Sequence, residues 1–408
     1  MKTLVKNIGL LAGIGTEPRK EGPAMSEVGC MKDAWLLIDG ELIASFSNMA
    51  DGVPADVDET VVAAGRMVIP AFCDSHTHAV WAGSREREFE DKIRGASYAE
   101  IAANGGGILN SADLLHATSE DELFCQSMVR VREMMAAGSG AIEIKSGYGL
   151  STEDELKMLR VIRRIRDSVP AVIKATFLGA HAVARGMERS DYVRLVCNEM
   201  IPAVSAEGLA DFVDVFCEEG FFTPEDTVQI LETAARYGLR PKLHANQLAV
   251  SGGVQVGAAH GALSVDHLER TTQAEIDCLK GSPVMPTMLP GASFFLREPY
   301  GNARGFIDAG LGVALASDYN PGTSPSGDMR FVMALGCIQM RLTPEQAFNA
   351  VTVNSAYAMD VSDLAGSIAV GKLANFIVTR PGFDSIGSLA YLYSTPFIDK
   401  VFLKGKVI

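Results

Sequence analysis

Eight short apolar runs are spread through the middle of the chain, and this repetition restricts its fold more than any other feature. Each run ends in polar residues, as a buried strand does where it leaves a sheet. Eight alternating strand and helix units predict an α/β fold of the TIM (β/α)8 barrel type. The runs are residues 67–73, 141–145, 172–178, 212–216, 241–243, 263–265, 284–287 and 313–316.

Helical periodicity fills the intervals between several of these runs. Apolar residues there recur so that they share one face of a helix, which would pack against a central sheet. The segments with this pattern are 153–167, 192–204, 225–237 and 274–279.

The two ends of the chain have a different pattern. Short alternating pieces bounded by turn residues predict antiparallel strands at residues 3–5, 34–38, 41–46, 374–378 and 400–408. We therefore predict a small β-sandwich domain built from both termini, residues 1–65 plus 370–408, around a barrel at 66–369. A chain of 408 residues accommodates a barrel of about 250 residues and a smaller domain.

Charge and hydropathy exclude several classes of protein. The formal net charge is −14, from 36 Lys and Arg against 50 Asp and Glu, whereas nucleic-acid binders are usually basic. No apolar run is long enough for a membrane span, which takes about 18 residues or more. We expect a cytoplasmic protein that binds neither nucleic acid nor membrane. An anionic small-molecule substrate would need a local cationic clamp.

Ionisable residues collect where the predicted strands end. In a TIM barrel the chemistry lies at the carboxyl ends of the strands, and five of the seven His residues fall there together with one Lys and one Asp. These residues are His76, His78, Lys145, His181, His244, His267 and Asp318.

The pair His76 and His78 follows the first apolar run directly. Side chains two positions apart in an extended segment share a face, so both imidazoles can reach one ion. Three His and one Asp suit Zn²⁺ or Fe²⁺ and leave a position open for water.

The run 65–78 resembles the opening signature of the amidohydrolase superfamily, and the resemblance extends over nearly the whole chain. Segment 366–375 is similar to the family's return into its β domain, although Asn375 stands where Asp is common. The residues that match the family pattern are Asp74, His76, His78, His244, His267 and Asp318.

The resemblance implies a metal-dependent hydrolase with one Zn²⁺ or Fe²⁺/Fe³⁺ per subunit, held by His76, His78, His244 and Asp318. Such a metal lowers the pKa of its bound water and makes hydroxide available near neutral pH. We expect Asp318 to accept the water proton and His267 to orient the hydroxide. The alternative is a second metal, held by His181 and His267 and bridged by a modified Lys145.

A closer resemblance is to the cyclic-amide hydrolases of the superfamily that open an imidazolone ring in histidine breakdown. Lys-Ser-Gly-Tyr-Gly at 145–149 is the most specific of the matching segments, which are 81–85, 104–108, 143–150, 177–181 and 317–323. The implied reaction is hydrolysis of 4-imidazolone-5-propanoate to N-formimidoyl-L-glutamate, and the implied assembly is a homodimer.

The same resemblance implies roles around the substrate. Arg85 would bind the propionate through its guanidinium, unless it is a solvated charge or pairs with Glu86 or Glu88. Tyr148 would contact the ring carbonyl or the tail, unless it only packs. His181 would stabilise the oxyanion, unless it is a satisfied interior histidine. The remaining expected contacts to the ring and product are Asn320, Gly322 and Thr323.

The segment after His244 departs from the pattern of related barrel enzymes. Deaminases on this barrel carry a Glu three residues after that His, whereas this chain has Gln247, preceded by Asn246. Because Gln carries no proton at neutral pH, we expect Gln247 to position the ring. Another cyclic-amide hydrolase or an aminohydrolase of the superfamily remains the alternative function, and ammonia release would identify the latter.

Residues 105–107 are three consecutive glycines without the order of a phosphate-binding loop. They predict a flexible stretch of a long loop, with a lid over the site as one interpretation. Tyr98 is a further candidate contact to the substrate carboxylate.

Overall fold

The strands of this computed structural model, which describes residues 1–95 and 106–408, form two sheets. The first sheet joins both ends of the chain, in the order β17-β16-β15-β5-β1-β2-β3, with β4 beside β1. Its strands are β1 (Lys2–Ile14), β2 (Gly29–Asp39), β3 (Leu42–Asn48), β4 (Glu59–Val62), β5 (Met67–Pro70), β15 (Phe376–Thr379), β16 (Ile398–Leu403) and β17 (Lys406–Val407).

The second sheet is a parallel barrel, in the order β14-β13-β12-β11-β9-β8-β7-β6, with the two-residue β10 beside β9. Its strands are β6 (Phe72–Asp74), β7 (Ser139–Lys145), β8 (Val172–Ala180), β9 (Phe212–Cys217), β10 (Arg240–Pro241), β11 (Leu243–Ala245), β12 (Ser264–His267), β13 (Met285–Met288) and β14 (Ala314–Leu315).

The barrel closes just beyond the ends of its first and last strands. The amide of Asp318 donates to the carbonyl of His76 at 3.0 Å, and the amide of His78 donates to the carbonyl of Tyr319 at 2.9 Å. These two bonds form a parallel bridge between Thr77 and Tyr319. The seam of the barrel therefore runs through the predicted metal ligands.

Helices surround the barrel. They are α1 (Glu86–Ile93), α2 (Ile108–Ala117), α3 (Glu120–Ala136), α4 (Thr152–Ser168), α5 (Arg189–Leu195), α6 (Ile201–Ala206), α7 (Pro224–Arg236), α8 (Gly253–Ala259), α9 (Gln273–Leu279), α10 (Pro290–Leu296), α11 (Ala303–Asp308), α12 (Met329–Ile338), α13 (Pro344–Ala350), α14 (Val353–Ala358) and α15 (Ile386–Tyr391). A π turn at Val196–Met200 joins α5 to α6.

Several of these helices begin at side-chain caps that the sequence supplies. Ser119 and Ser151 each accept a hydrogen bond from a backbone amide in the first turn of the helix that follows. Thr223, Thr272 and Thr343 begin capping boxes. Each cap satisfies an amide that the helix leaves unpaired, which stabilises the helix by about 1 kcal/mol. None of the described helices is long and apolar enough to cross a membrane.

The predicted fold class is confirmed: a parallel eight-stranded barrel with helices, and a second sheet made by strands of both termini. That second sheet has a core of its own, which includes Val5, Leu36 and Phe376. Its strands are hydrogen-bonded into one continuous sheet. The predicted domain limits stay a prediction.

The structure divides one predicted strand between the two sheets. We expected residues 67–73 to form the first barrel strand, but Met67–Pro70 pairs with β1 and β15 in the terminal sheet. The chain changes partner at Ala71, and only Phe72–Asp74 pairs with β7 in the barrel. Both pieces are fully buried, so one apolar run covers two strands without a polar residue between them.

Candidate metal centre and active site

Four of the predicted ligands converge at the carboxyl end of the barrel. The Oδ1 atom of Asp318 lies 3.6 Å from Nε2 of His76 and 3.5 Å from Nε2 of His78. The Nε2 atoms of His244 and His78 are 3.4 Å apart. All four side chains are at most 3% exposed. Ligand atoms of His76, His78 and Asp318 lie within 4.8 Å of one another, and His244 joins them in a second, overlapping group with His76 and His267.

This arrangement fits a cation. Nε2 of His76 is buried, and within residues 1–95 and 106–408 it has no hydrogen-bond partner. Burial is the main cause that lowers the pKa of His76 and His78 well below the usual value, and it lowers the pKa of His244 to about 4 although Asp214 opposes it. The imidazoles are therefore neutral and offer lone pairs, as metal ligation requires.

Buried carboxylates lie beside the other nitrogen of two of these rings. Nδ1 of His76 lies 2.6 Å from Oδ2 of Asp266, and Nδ1 of His244 lies 2.9 Å from Oδ2 of Asp214. A carboxylate in this position fixes the ring orientation and the tautomer, and it raises the basicity of the nitrogen that faces the metal. Neither carboxylate was predicted from the sequence.

Beneath the histidines, five fully buried charges form what we call the charged floor: Glu143, Lys145, Asp214, Lys242 and Asp266. Nζ of Lys145 lies 2.6 Å from Oε1 of Glu143 and 2.9 Å from Oδ2 of Asp214. Lys242 pairs with Glu143 as well. Each charge has an oppositely charged partner within the floor, which offsets the cost of burial.

The charged floor bears on the alternative of a second, Lys-bridged metal. Burial alone would lower the pKa of Lys145, but the carboxylates of Asp214, Glu143 and Asp266 outweigh burial and raise it. A Lys must be neutral and unpaired to be modified at Nζ. The ion pairs of Lys145 with Glu143 and Asp214 therefore count against the bridge, and the number of metal ions stays a prediction.

His267 lies beside this cluster and touches a carboxylate of its own. One of its ring nitrogens lies within 4.8 Å of ligand atoms on His76 and His244, and Nδ1 is 3.2 Å from Oε1 of Glu269. Burial would lower the pKa of His267, but Glu269 and Asp318 outweigh it and raise the pKa to about 9. A protonated imidazole donates hydrogen bonds, as the predicted role of His267 requires.

Two residues of the site adopt backbone conformations that side chains rarely take. The φ angle is +54° at Asp318 and +86° at His267. Conformations of this kind cost about 1–3 kcal/mol each and persist where the surrounding structure imposes them. Asp318 lies three residues after β14, and His267 is the last residue of β12.

Asp318 is supported by the loop that follows it. Nδ2 of Asn320 donates to the Asp318 carbonyl at 2.6 Å, and Oγ1 of Thr323 is 3.3 Å from Oδ2 of Asp318. Burial raises the pKa of Asp318 to about 7, although His267 opposes the shift. A carboxylate with this pKa can accept and release a proton near neutral pH.

A cavity of about 450 Å³ opens over the metal cluster. Such a volume holds a small substrate of ring and tail. The predicted site residues that line it are His78, Arg85, Tyr148, His181, His244, Gln247, His267, Asp318, Asn320 and Thr323. The structure thus brings to one cavity the metal site and nearly all the predicted substrate contacts.

Arg85 reaches this cavity with its guanidinium already paired on one side. Nε and Nη2 donate to Oε2 of Glu88 at 2.9 and 2.6 Å, which is one of the partners considered above. Gly322 lies against the other side, and a Cβ added there would overlap the guanidinium. Both Arg85 and Glu88 are at most 10% exposed, so the pair is a fixed part of the wall. From the sequence, Glu88 was predicted only as an alternative partner of Arg85 and not as part of the cavity wall.

Tyr148 and His181 line another part of the cavity wall. Their ring centroids are 5.4 Å apart, and Nδ1 of His181 is 3.0 Å from the carbonyl of Gly147. Oxygens of the buried Glu155 accept from the amides of Gly147, Gly149 and Leu150. Burial lowers the pKa of His181 to about 3, so this ring is neutral.

The backbone of Gln247 is held in place by Glu218, another buried carboxylate that was not predicted from the sequence. Glu218 accepts from the amides of Gln247 and Leu248 at 2.8 and 3.0 Å. The loop after β11 is thereby fixed with Gln247 in the cavity wall. In the glycine-rich loop predicted around residues 105–107, Gly107 is the N-cap residue of α2. Tyr98 and Gly105 lie outside the described residues.

Comparison with known proteins agrees with this geometry. Residues 221–408 match the model of the Amidohydrolase family. The imidazolonepropionase of Flavobacterium psychrophilum is 49% identical over 100% of both chains. That of Christiangramia forsetii is 48% identical, also over 100% of both. A solved triazine hydrolase variant superposes with a TM-score of 0.78 at 16% identity, covering 100% of this chain and 94% of its own.

The barrel, the His and Asp cluster and the cavity above it define a metal-dependent hydrolase of the amidohydrolase superfamily. Identities of 48–49% over the full length of both chains show which enzymes of this superfamily the chain is related to. The chain belongs to the imidazolonepropionases.

Proposed function

We propose how the residues of this site divide the work of an imidazolonepropionase. The reaction is the hydrolytic opening of 4-imidazolone-5-propanoate to N-formimidoyl-L-glutamate in L-histidine degradation. The C–N bond that breaks belongs to a cyclic amide, and the substrate is a small molecule with an anionic tail. The predicted homodimer stays a prediction.

The metal is a single Zn²⁺ or iron ion held by His76, His78, His244 and Asp318. The neutral imidazoles and the enclosed carboxylate support this donor set, because borderline metals favour nitrogen and oxygen ligands of this kind. When bound, the ion lowers the pKa of a coordinated water and polarises the ring carbonyl.

Asp318 accepts the proton of the attacking water. Its carboxylate is buried and sits within 3.6 Å of two of the histidines, beside the position proposed for the ion. His267 orients the same water by donating a hydrogen bond. His181, neutral and in the cavity wall, stabilises the oxygen that becomes negative when the ring carbonyl is attacked.

The substrate lies with its tail toward Arg85 and its ring toward the histidines. Arg85 lines the cavity as a buried cation, and Nη1 takes no part in its pair with Glu88, which supports charge-assisted binding of a carboxylate. Tyr148 contacts the carbonyl or the tail, and Gln247 positions the ring. Asn320, Gly322 and Thr323 bind the ring and the product from the loop after β14.

One observation carries the proposal: the metal cluster and the buried Arg85 line the same cavity. A test follows the ultraviolet absorbance of freshly made 4-imidazolone-5-propanoate with purified protein. We expect the decay to depend on the protein, to stop when a chelator removes the metal, and to yield N-formimidoyl-L-glutamate without ammonia.

Elemental analysis of the same preparation tests the stoichiometry. We expect one metal ion per chain. A ratio of two would restore the bridged alternative with Lys145, and undiminished decay by verified metal-free protein would contradict the metal-dependent mechanism.

Replacing Arg85 with alanine is expected to raise KM by about 10- to 100-fold, since a charge-assisted contact contributes roughly 1.5–3 kcal/mol. The metal content should not change. Steady-state kinetics and elemental analysis measure the two quantities. Arg94→Ala is the matched control, because Arg94 is an exposed cation at the end of the same helix. An unchanged KM for Arg85→Ala would remove Arg85 from the clamp.

A further inference from the structure

A carboxylate with no assigned role stands in the wall of the cavity. Glu269 follows β12 by two residues and is 9% exposed. Its Oε1 atom faces Nδ1 of His267 at 3.2 Å. Its Oε2 atom is buried, and in the described part of the chain no donor lies within hydrogen-bond distance of it. An unpaired buried carboxylate oxygen is costly, and because the side chain also lines the cavity, its carboxylate is a candidate contact for a ligand there.

The cavity has opposite charges on different parts of its wall. Arg85, just before α1, and Lys92, within α1, line one part of the cavity. Lys92 donates to the carbonyl of Gly322, which follows the eighth barrel strand. Glu269 enters after the sixth barrel strand. A ligand that satisfies both has a carboxylate at one end and an N–H donor or a cation at the other.

The proposed substrate and product have this form. The imidazolone ring carries an N–H group in its N–C–N edge, and opening of the ring converts that edge into an N-formimidoyl group. Amidines are strong bases, so this group is a planar cation at neutral pH. A carboxylate pairs with such a cation through charge-assisted hydrogen bonds, as it does with a guanidinium.

We propose that the carboxylate of Glu269 binds the N–C–N edge, accepting from the ring N–H of the substrate and from the amidinium of the product. Glu269 thereby selects ligands with a nitrogen donor at this position. This inference rests on the proposed function. Gln247 also lines the cavity, but a neutral amide cannot pair with the charge of the amidinium.

The test compares two product-like ligands that differ only at this edge. N-formimidoyl-L-glutamate carries the cation, whereas N-formyl-L-glutamate carries a neutral amide of nearly the same shape. Isothermal titration of metal-loaded protein with each ligand needs no turnover. We expect the unmodified protein to prefer the formimidoyl ligand by about 10- to 100-fold, and Glu269→Gln to lose this preference while binding the formyl ligand as before.

Two further variants sharpen the result. Glu298→Gln is the matched control, because Glu298 lines the same cavity but is half-exposed and paired with Arg270 at 2.6 Å; its preference should not change. Glu269→Asp keeps the charge on a shorter side chain and should retain part of the preference. Far-ultraviolet circular dichroism and metal content verify that each variant is folded and loaded.

Two outcomes would overturn the inference. If Glu269→Gln keeps the full preference, the carboxylate does not bind the edge. If it weakens both ligands equally or loses metal, Glu269 serves only to hold His267. Failure of the proposed function would look different, since the unmodified protein would then neither open the imidazolone ring nor bind N-formimidoyl-L-glutamate.

Discussion

Asp318→Asn is expected to lower kcat by about a thousandfold or more. General base catalysis contributes about 10²- to 10⁴-fold, and the variant also loses an anionic ligand to the metal. Asn is nearly isosteric with Asp but accepts no proton at neutral pH. The measurement is kcat for ring opening at saturating substrate, with the metal content of each sample determined in parallel.

The design separates loss of the base from loss of the ion. The assay is repeated with added Zn²⁺ until the variant is fully loaded, and the reduction in kcat should persist. Asp308→Asn serves as the control, since Asp308 is an exposed partner of Arg304 on α11. A loaded Asp318→Asn protein with kcat within tenfold of the parent would show that another group accepts the proton.

Asp214→Ala is expected to lower the free energy of unfolding by about 3–5 kcal/mol, the usual effect of removing one partner from a buried ion pair. The change leaves Lys145 with Glu143 as its close partner and removes the carboxylate beside Nδ1 of His244. The metal affinity should fall about 10- to 100-fold, because the carboxylate beside Nδ1 orients the His244 ring that faces the metal. Urea unfolding of metal-free protein measures the stability, and competition with a chelator measures the affinity.

An exposed ion pair provides the comparison for this variant. Asp360 pairs with Arg240 at 2.6 Å with both side chains about half exposed, and Asp360→Asn should cost less than about 1 kcal/mol. If Asp214→Ala proved equally mild, the charged floor would not depend on this carboxylate. If stability fell while metal affinity stayed constant, the orienting role of Asp214 would be excluded.

Much of the fold could be predicted from the sequence because its signals are local. The helix predicted at 153–167 is Thr152–Ser168 in the structure, and that predicted at 225–237 is Pro224–Arg236. Periodicity and caps determine both. The division of residues 67–73 could not be predicted, because both strands are buried and the pairing partners of Met67–Pro70 come from the two ends of the chain.

The candidate site, too, could be predicted only in part from the sequence. His76 and His78 are adjacent in the chain and follow a strand, so their spacing indicated a shared ion. Asp214 stands between valines in β9, and a charge in such a strand indicates that a partner exists. The charge does not indicate which residue is the partner of Asp214, because Lys145 belongs to another strand. Glu269 carried a weaker signal, its position two residues after His267.

The seam of the barrel also has a consequence for how the protein is made. Asp74 accepts from the amide and hydroxyl of Ser317, and 243 residues separate the two positions. Beside them, the bridge that closes the barrel joins the segments of His76 and Asp318. A chain still emerging from the ribosome carries His76 and His78 long before Asp318 exists. If Asp318 belongs to the donor set as proposed, partly synthesised molecules hold an incomplete set, and we expect tight capture of the ion to await synthesis of the final quarter of the chain.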